Sequence, residues 1–365
     1  MPLRPRHGLR TASWPAVLGL ATLMGLSIGF PALPQADAAT PAAPAVPHDI
    51  AAAFKAGDYP AVAKWFQSLP ADQPPSTEGL RLAFQSLVKL GRGEDALKLY
   101  PRLKGETQPD DPVLLRPLAL SLITSRVRDP KEHVRIAAYS ALAELALPET
   151  ASVLEDGLLD SSVLVRARAA EGLGRAGLAA KSSALKRALN DEAPSVRIAA
   201  MQALSEAQVM EIKPHLVRIG RTDEGPEGIF AYAALYTLGQ SDMLIDITNA
   251  ATLPDAEVRM AALGVLGRLK RPASLAVLSQ AVYDPNPSVR AFAAGALGEF
   301  GAPGGMAPLT HAIGDEMAMV RSVAAGSLGR LGLKDARPLL QALTTDPNLQ
   351  VRASAAESLL RLGDS

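Results

Sequence analysis

The 365-residue chain contains no cysteine and only 4% aromatic residues. The first absence excludes disulfides, thiolate metal ligands and cysteine nucleophiles, so packing alone must hold the fold. The second excludes a core built around large rings. Net charge is absent too, since 37 basic residues balance 37 acidic ones spread along the chain. Without a basic face there is no electrostatic footprint for nucleic acid or anionic lipid. No P-loop, G-x-S-x-G or H-E-x-x-H occurs. His48, His133, His215 and His311 are never followed by Glu, and no two of them lie three or four residues apart. A helical pair of metal ligands therefore has no candidate. No catalytic, cofactor-binding or metal-ligating residue is assigned, no cofactor or small-molecule substrate is expected, and the chain is expected not to be an enzyme.

What the chain does have is alanine and leucine, which carry most of a 48% apolar fraction. Both lose little entropy on entering a helix, which points to an all-α protein. Residues 1–38 read as a bacterial export signal. Arg4, Arg6 and Arg10 precede an apolar core from Val17 to Phe30, and Ala36-Asp37-Ala38 has the small-x-small form of a cleavage site. Prolines and glycines interrupt that core too often for a membrane span of about 20 residues. The expectation is a periplasmic or secreted protein cleaved after Ala38, with a membrane association only if the segment is kept. Residues 39–47 are a Pro/Ala-rich linker.

The rest of the chain is periodic. Val-Arg recurs at Arg135, Arg166, Arg197, Arg259, Arg290, Arg321 and Arg352, spaced by 31 residues with one gap of 62. The absent member falls at Glu227-Gly228, where the surrounding pattern persists. A leucine column follows at Leu142, Leu173, Leu204, Leu235, Leu266, Leu297, Leu328 and Leu359. An earlier apolar column runs Leu154, Leu185, Leu216, Ile247, Leu278, Leu309 and Leu340, and extrapolates back to Ile123. In 196–207 the apolar positions follow the i, i+3, i+4, i+7 rhythm of one helix face. Each unit thus holds a short first helix and a longer second one, and so small a pair must stack on its neighbours to bury its apolar face.

An aspartate stands six residues before most of the repeated arginines, at Asp129, Asp160, Asp191, Asp284, Asp315 and Asp346. With it the pattern D-x5-V-R-x-A-A-x-x-A-L-G resembles the short HEAT-like repeat of phycobilisome lyases, over roughly 112–365. The resemblance implies a right-handed α-solenoid of about eight 31-residue helix pairs, in which the Asp and Arg tie adjacent repeats together. Electrostatics alone asks for such a partner, because an arginine in the first turn of a helix opposes the macrodipole at about 0.3–1 kcal/mol. The nearby loop aspartate is the expected acceptor. An anion-binding arginine ladder is the functional alternative. The histidine-glutamate iron site of deoxyhypusine hydroxylase, another HEAT-like protein, finds no matching residues.

Residues 48–111 have a different rhythm. Gly57 and Gly91 lie 34 apart and are followed in register by Ala63 or Ala96, Lys64 or Lys98, and Phe66 or Tyr100. This resembles tetratricopeptide repeats, without their early tryptophan, and a generic helical cap fits as well.

Two features stand out within the repeats. EGLGRAG (171–177) spells a dinucleotide-binding G-x-G-x-x-G, yet Gly174 aligns with Gly298 and Gly329, and Gly177 with Gly239, Gly301 and Gly332. The glycines therefore belong to a helix end, where freedom to adopt positive φ caps the chain. The fourth unit replaces the ladder Asp by Thr222 and the Arg by Gly228 while gathering Phe230, Tyr232 and Tyr236. These rings fill space left by the missing ladder, or they anchor a partner protein, since aromatics are favoured hot-spot residues. The function expected is a non-catalytic interaction scaffold or assembly factor of the cell envelope binding one or more proteins. The alternative, implied by the resemblance, is a lyase subunit acting on a tetrapyrrole-protein linkage.

Overall fold

The computed structural model describes residues 46–70, 75–104 and 110–363. The export signal and most of the linker lie outside them. Every described element is helical. Two hairpins open the chain, α1 (His48–Lys55) with α2 (Tyr59–Ser68) and α3 (Thr77–Lys89) with α4 (Gly93–Lys104). Each hairpin turns at a left-handed glycine, Gly57 at φ 82° and Gly91 at φ 70°. Their shared core of Ala63, Phe84, Leu87, Ala96 and Leu99 extends to Leu114 and Leu118, so packing continues into the periodic region.

The eight units follow: α5 (Pro112–Thr124) with α6 (Glu132–Leu145), α7 (Ala151–Gly157) with α8 (Val163–Arg175), α9 (Ser183–Arg187) with α10 (Pro194–Glu206), and α11 (Lys213–Thr222) with α12 (Pro226–Thr237). After them come α13 (Met243–Ala250) with α14 (Ala256–Leu269), α15 (Ser274–Gln280) with α16 (Pro287–Phe300), α17 (Met306–Ala312) with α18 (Ala318–Leu331), and α19 (Arg337–Leu343) with α20 (Leu349–Arg361). The second helices pack in chain order, each against the next. The result is an α-solenoid. Asp255, Asn286 and Asn348 start second helices by accepting main-chain N–H groups, and Pro194, Pro226 and Pro287 occupy first-turn positions where the missing N–H is harmless.

The two apolar columns are the core. Leu154, Leu185, Leu216, Ile247, Leu278, Leu309 and Leu340 are all 0% exposed, and the leucines from Leu142 to Leu328 at most 1%. At the ends of the stack the columns loosen, with Ile123 and Leu359 half-buried.

Every second helix ends in the left-handed region at one position of the repeat: Ala146, Gly177, Gln208, Gly239, Lys270, Gly301, Gly332 and Gly363. Three of these are not glycine, and a side chain there strains the backbone by about 1–2 kcal/mol. Lys270→Gly, at an exposed site, is therefore expected to stabilise the chain by about 1 kcal/mol net of the extra unfolded-state entropy. Thermal unfolding checks this, and an unchanged or lower midpoint would count against the strain.

Gly174, Gly298 and Gly329 need a different reason from the one the sequence suggested. Their φ is not positive. They allow close helix approach instead: a Cβ would fall 2.8 Å from Ala203 Cβ, 2.6 Å from Ser327 Oγ and 2.5 Å from Ser358 Oγ respectively. EGLGRAG therefore combines a helix-contact glycine, Gly174, with a cap, Gly177 at φ 70°. It closes a helix and holds no cofactor loop, which would follow a strand and open one.

Candidate protein interface

The Asp/Arg signature forms a ladder along one edge of the stack. Arg166 reaches Asp191 of the next unit with Nε at 2.8 Å from Oδ2 and Nη2 at 3.0 Å from Oδ1, while its Nη1 donates to the carbonyl of Asp160 at 3.0 Å. Arg135–Asp160, Arg259–Asp284, Arg290–Asp315 and Arg321–Asp346 repeat this bidentate pairing. The expected partner, the carboxylate of the arginine's own loop, is thus corrected: that residue offers only its carbonyl, and the carboxylate comes from 25 residues further on. Each aspartate also accepts the N–H two residues ahead, as Asp191 does from Ala193 at 2.9 Å, and so shapes its loop as well as binding the neighbour. At the ends, among the described residues, the Asp129 carboxylate lies 4.0 Å from Arg126 and receives no ladder arginine, its carbonyl alone accepting from Arg135, and Arg352 keeps only its carbonyl contacts to Asp346 and Pro347.

Burial pushes the carboxyls of Asp160, Asp191 and Asp315 up, but hydrogen bonds from arginine and main-chain N–H groups, together with the arginine charges, outweigh it and hold them below the usual carboxylate range. Both oxygens of each carboxylate are engaged within the fold, by the arginine and by the main-chain N–H two residues on. A ladder so occupied is a structural brace, which disfavours the anion-binding alternative.

The fourth unit departs from this plan in two steps. Arg197 finds Thr222 where its aspartate should be, and Glu227 replaces it, accepting from Nε at 2.7 Å and from Nη2. Asp223 takes over the loop role, accepting from Gly225 at 2.8 Å and Gly228 at 3.1 Å. Glu227 occupies the column of buried valines and is itself 7% exposed. The next rung is gone from both sides: Gly228 replaces the arginine, and Leu253, 25 residues on, replaces the aspartate. A side chain at Gly228 would run into the Asp223 carbonyl.

The same junction also lacks its close-approach glycine. In the close-approach column of Gly174, Gly267, Gly298 and Gly329, this unit carries Tyr236. The hydrophobic core divides here into a cluster running to Leu238 and another beginning at Ile229. Two cation–π contacts bridge the seam, Arg268 over Phe230 at 5.6 Å and Arg271 over Tyr236 at 5.4 Å.

The three rings singled out in the sequence thus separate. Tyr232 donates its hydroxyl to the Gly220 carbonyl and packs its ring against that glycine. Burial raises its pKa, and the residue belongs to the packing of α11 on α12, not to a surface anchor. Tyr236 stands in the close-approach column with Arg271 over its ring. Phe230 alone lies on the outward face of the second helices, half-buried beneath Arg268.

That face is the surface missed by sequence reasoning. From unit four to unit seven it presents Phe230, Ala233, Ala261, Gly264, Phe292, Gly295, Val323 and Gly326, with Phe292 43% exposed. Toward either end the same two columns turn charged, at Arg168 and Glu171 and at Glu357. Gly264 makes room for the Phe292 ring, whose Cε1 would lie 3.0 Å from a Cβ there. Among the described residues Gly295 and Gly326 make room for nothing, since the nearest atoms to a Cβ are 3.5 and 4.0 Å away. A mid-helix glycine costs about 1 kcal/mol relative to alanine, and the fold gains nothing visible in return. The signal was present in the sequence as glycines 31 residues apart at 264, 295 and 326.

The family described as HEAT repeats matches residues 114–174 and 275–361. No curated protein matches the chain. Among solved structures it is similar to human deoxyhypusine hydroxylase in complex with glycerol, at 20% identity over 67% of this chain and 96% of that one, with a TM-score of 0.36. It is also similar to the complex of CpcE and CpcF of phycocyanin lyase from Nostoc sp. PCC7120, at 17% identity over 71% of this chain and 97% of that one, with a TM-score of 0.42.

Proposed function

Because the chain is built of HEAT repeats in an α-solenoid, we propose that it is a non-catalytic protein-interaction scaffold or assembly factor, exported to the bacterial cell envelope. One observation carries the binding part of this reading: the run of small and aromatic side chains on the outward second-helix face, with Phe292 standing out of it and Gly295 and Gly326 leaving room that the fold does not use. Such a strip lets a partner backbone approach closely while an aromatic fills a pocket on it. The basic start, apolar stretch and Ala36-Asp37-Ala38 of the first 38 residues support export. The N-terminal hairpins, as a tetratricopeptide-like pair, cover the first face of the solenoid, which repeat proteins need to stay soluble.

The test is an affinity pull-down from an envelope fraction with the mature chain and with Phe292→Asp. The wild type is expected to retain a specific partner, and the variant, still folded but somewhat less stable because the ring packs on Gly264, to lose it. Equal retention by both would remove the face from the account. Amino-terminal sequencing of the exported protein should read from Ala39, and an intact amino terminus would replace the periplasmic reading with a tethered one.

A further inference from the structure

Between α18 and α20 the second-helix face changes character. Ser322 stands where the earlier units have Ile136, Ala167, Ile198, Ile229, Met260 and Ala291, and Ser354 stands in the column of Phe230 and Phe292. The two hydroxyls lie 2.9 Å apart, sharing one hydrogen bond and leaving one O–H free to donate. They line an open cavity of about 220 Å3 together with Gly326, Arg330, Glu357 and Arg361.

The guanidinium groups are what a ligand would meet. Arg330 is steadied by the Ser327 hydroxyl at 2.7 Å and forms no ion pair among the described residues. Arg361 comes from the equivalent position one repeat later and pairs at 3.0 Å with Glu357, at an exposed site where such a pair is weak. Gly326 keeps the space between them open: the nearest atom to a Cβ there is Nη1 of Arg330, 4.0 Å away. Two guanidiniums against one carboxylate leave a single positive charge, which suits a monoanion better than a dianion. The planar fork of Arg330, with a hydroxyl donor beside it, matches the two oxygens of a carboxylate.

We propose that this cavity is a carboxylate-binding site, which receives an acidic side chain or terminal carboxylate of a polypeptide lying along the second-helix face. The identity of the carrier rests on the scaffold reading above. The carboxylate chemistry does not, and it is tested without any partner.

The full mature chain is titrated with sodium acetate, and separately with inorganic phosphate, at constant ionic strength, while the Nε–Hε signal of Arg330 and the amide of Ser354 are followed by NMR. Acetate is expected to shift both signals saturably and to bind more tightly than phosphate. Arg330→Met, a change at an exposed position, should weaken the Ser354 response at least tenfold, and Gly326→Leu should abolish it by filling the cavity. Thermal unfolding of the two variants reports whether they fold. Linear shifts without saturation, tighter binding of phosphate, or an unaltered acetate response in folded Arg330→Met would each overturn the proposal. Failure here leaves the pull-down result intact, and a pull-down without a partner leaves the titration interpretable.

Discussion

Replacing Arg166 with alanine is expected to cost the chain about 3–5 kcal/mol of stability, the range for removing one partner of a buried ion pair. Arg166 is 9% and Asp191 12% exposed at the side chain, so the aspartate left behind loses its bidentate partner at a largely buried site and keeps only the more distant charge of Arg197. Its remaining donor is the Ala193 N–H. The loss also frees the carbonyl of Asp160 and removes the link between two units.

The same substitution should change the pH dependence, and its sign follows from the ladder carboxyls. Asp160, Asp191 and Asp315 have their pKa lowered on folding: burial opposes ionisation, but the arginine and main-chain hydrogen bonds prevail. For Asp346 the hydrogen bond from Arg321 is the largest influence, and it acts in the same direction. A carboxyl with a lowered folded pKa contributes stability that is present above its unfolded value, about 3.9, and lost as pH falls through the folded one. The wild type should therefore weaken below about pH 4. The deficit of Arg166→Ala should be largest near pH 7 and shrink in acid, where Asp191 no longer needs a counter-charge. Urea unfolding at the two pH values measures both. A deficit below about 1 kcal/mol at pH 7 would put the ladder among ordinary surface pairs.

The second large effect is a cavity. Leu204→Ala removes a side chain that is 0% exposed at the centre of the leucine column, which costs about 2–5 kcal/mol depending on how far the site collapses. The location of the damage is as informative as its size. In a solenoid each unit contacts only its neighbours, so stability is close to a sum of local and nearest-neighbour contributions. Between α12 and α14 the ladder rung is missing, Tyr236 replaces the close-approach glycine, and the core divides. Native-state hydrogen exchange should therefore show lost protection in α8 and α10 with α16 and α18 unchanged. Equal loss on both sides of the seam would mean that the two cation–π contacts, or Phe230 spanning both clusters, couple the halves fully.

The columns were legible in the sequence because a 31-residue period leaves no register to choose. The tie between adjacent repeats was implied by the family resemblance, and the period by itself did not show it. An aspartate six residues before one arginine is also 25 residues after the previous one, so spacing alone does not distinguish a brace within a unit from a brace between units. Only the bidentate geometry of Arg166 on Asp191 separates them. Once that offset is known, Gly228 and Leu253 read as one missing rung instead of two unrelated losses. Glu227 could have been found: a carboxylate in a column of buried valines demands a cation, and Arg197 supplies it. The fate of the rings was not legible. The sequence grouped Tyr232 and Tyr236 with Phe230 as one set of rings, but Tyr232 turns its hydroxyl to Gly220 in α11. The outward face was missed because its signal is a lack of side chains at Gly295 and Gly326, and a helix glycine is easily taken for a cap.

The most direct test of the account is a pair of double-mutant cycles on Arg166, one with Asp191→Ala and one with Asp160→Ala. If the signature ties each unit to the next, Arg166→Ala and Asp191→Ala should couple by about 1.5–3 kcal/mol, and clearly more strongly than Arg166→Ala and Asp160→Ala, because Asp160 offers Arg166 its carbonyl and only a longer-range charge attraction from its carboxylate. Stronger coupling to Asp160 than to Asp191 would place the brace within the unit and contradict the account.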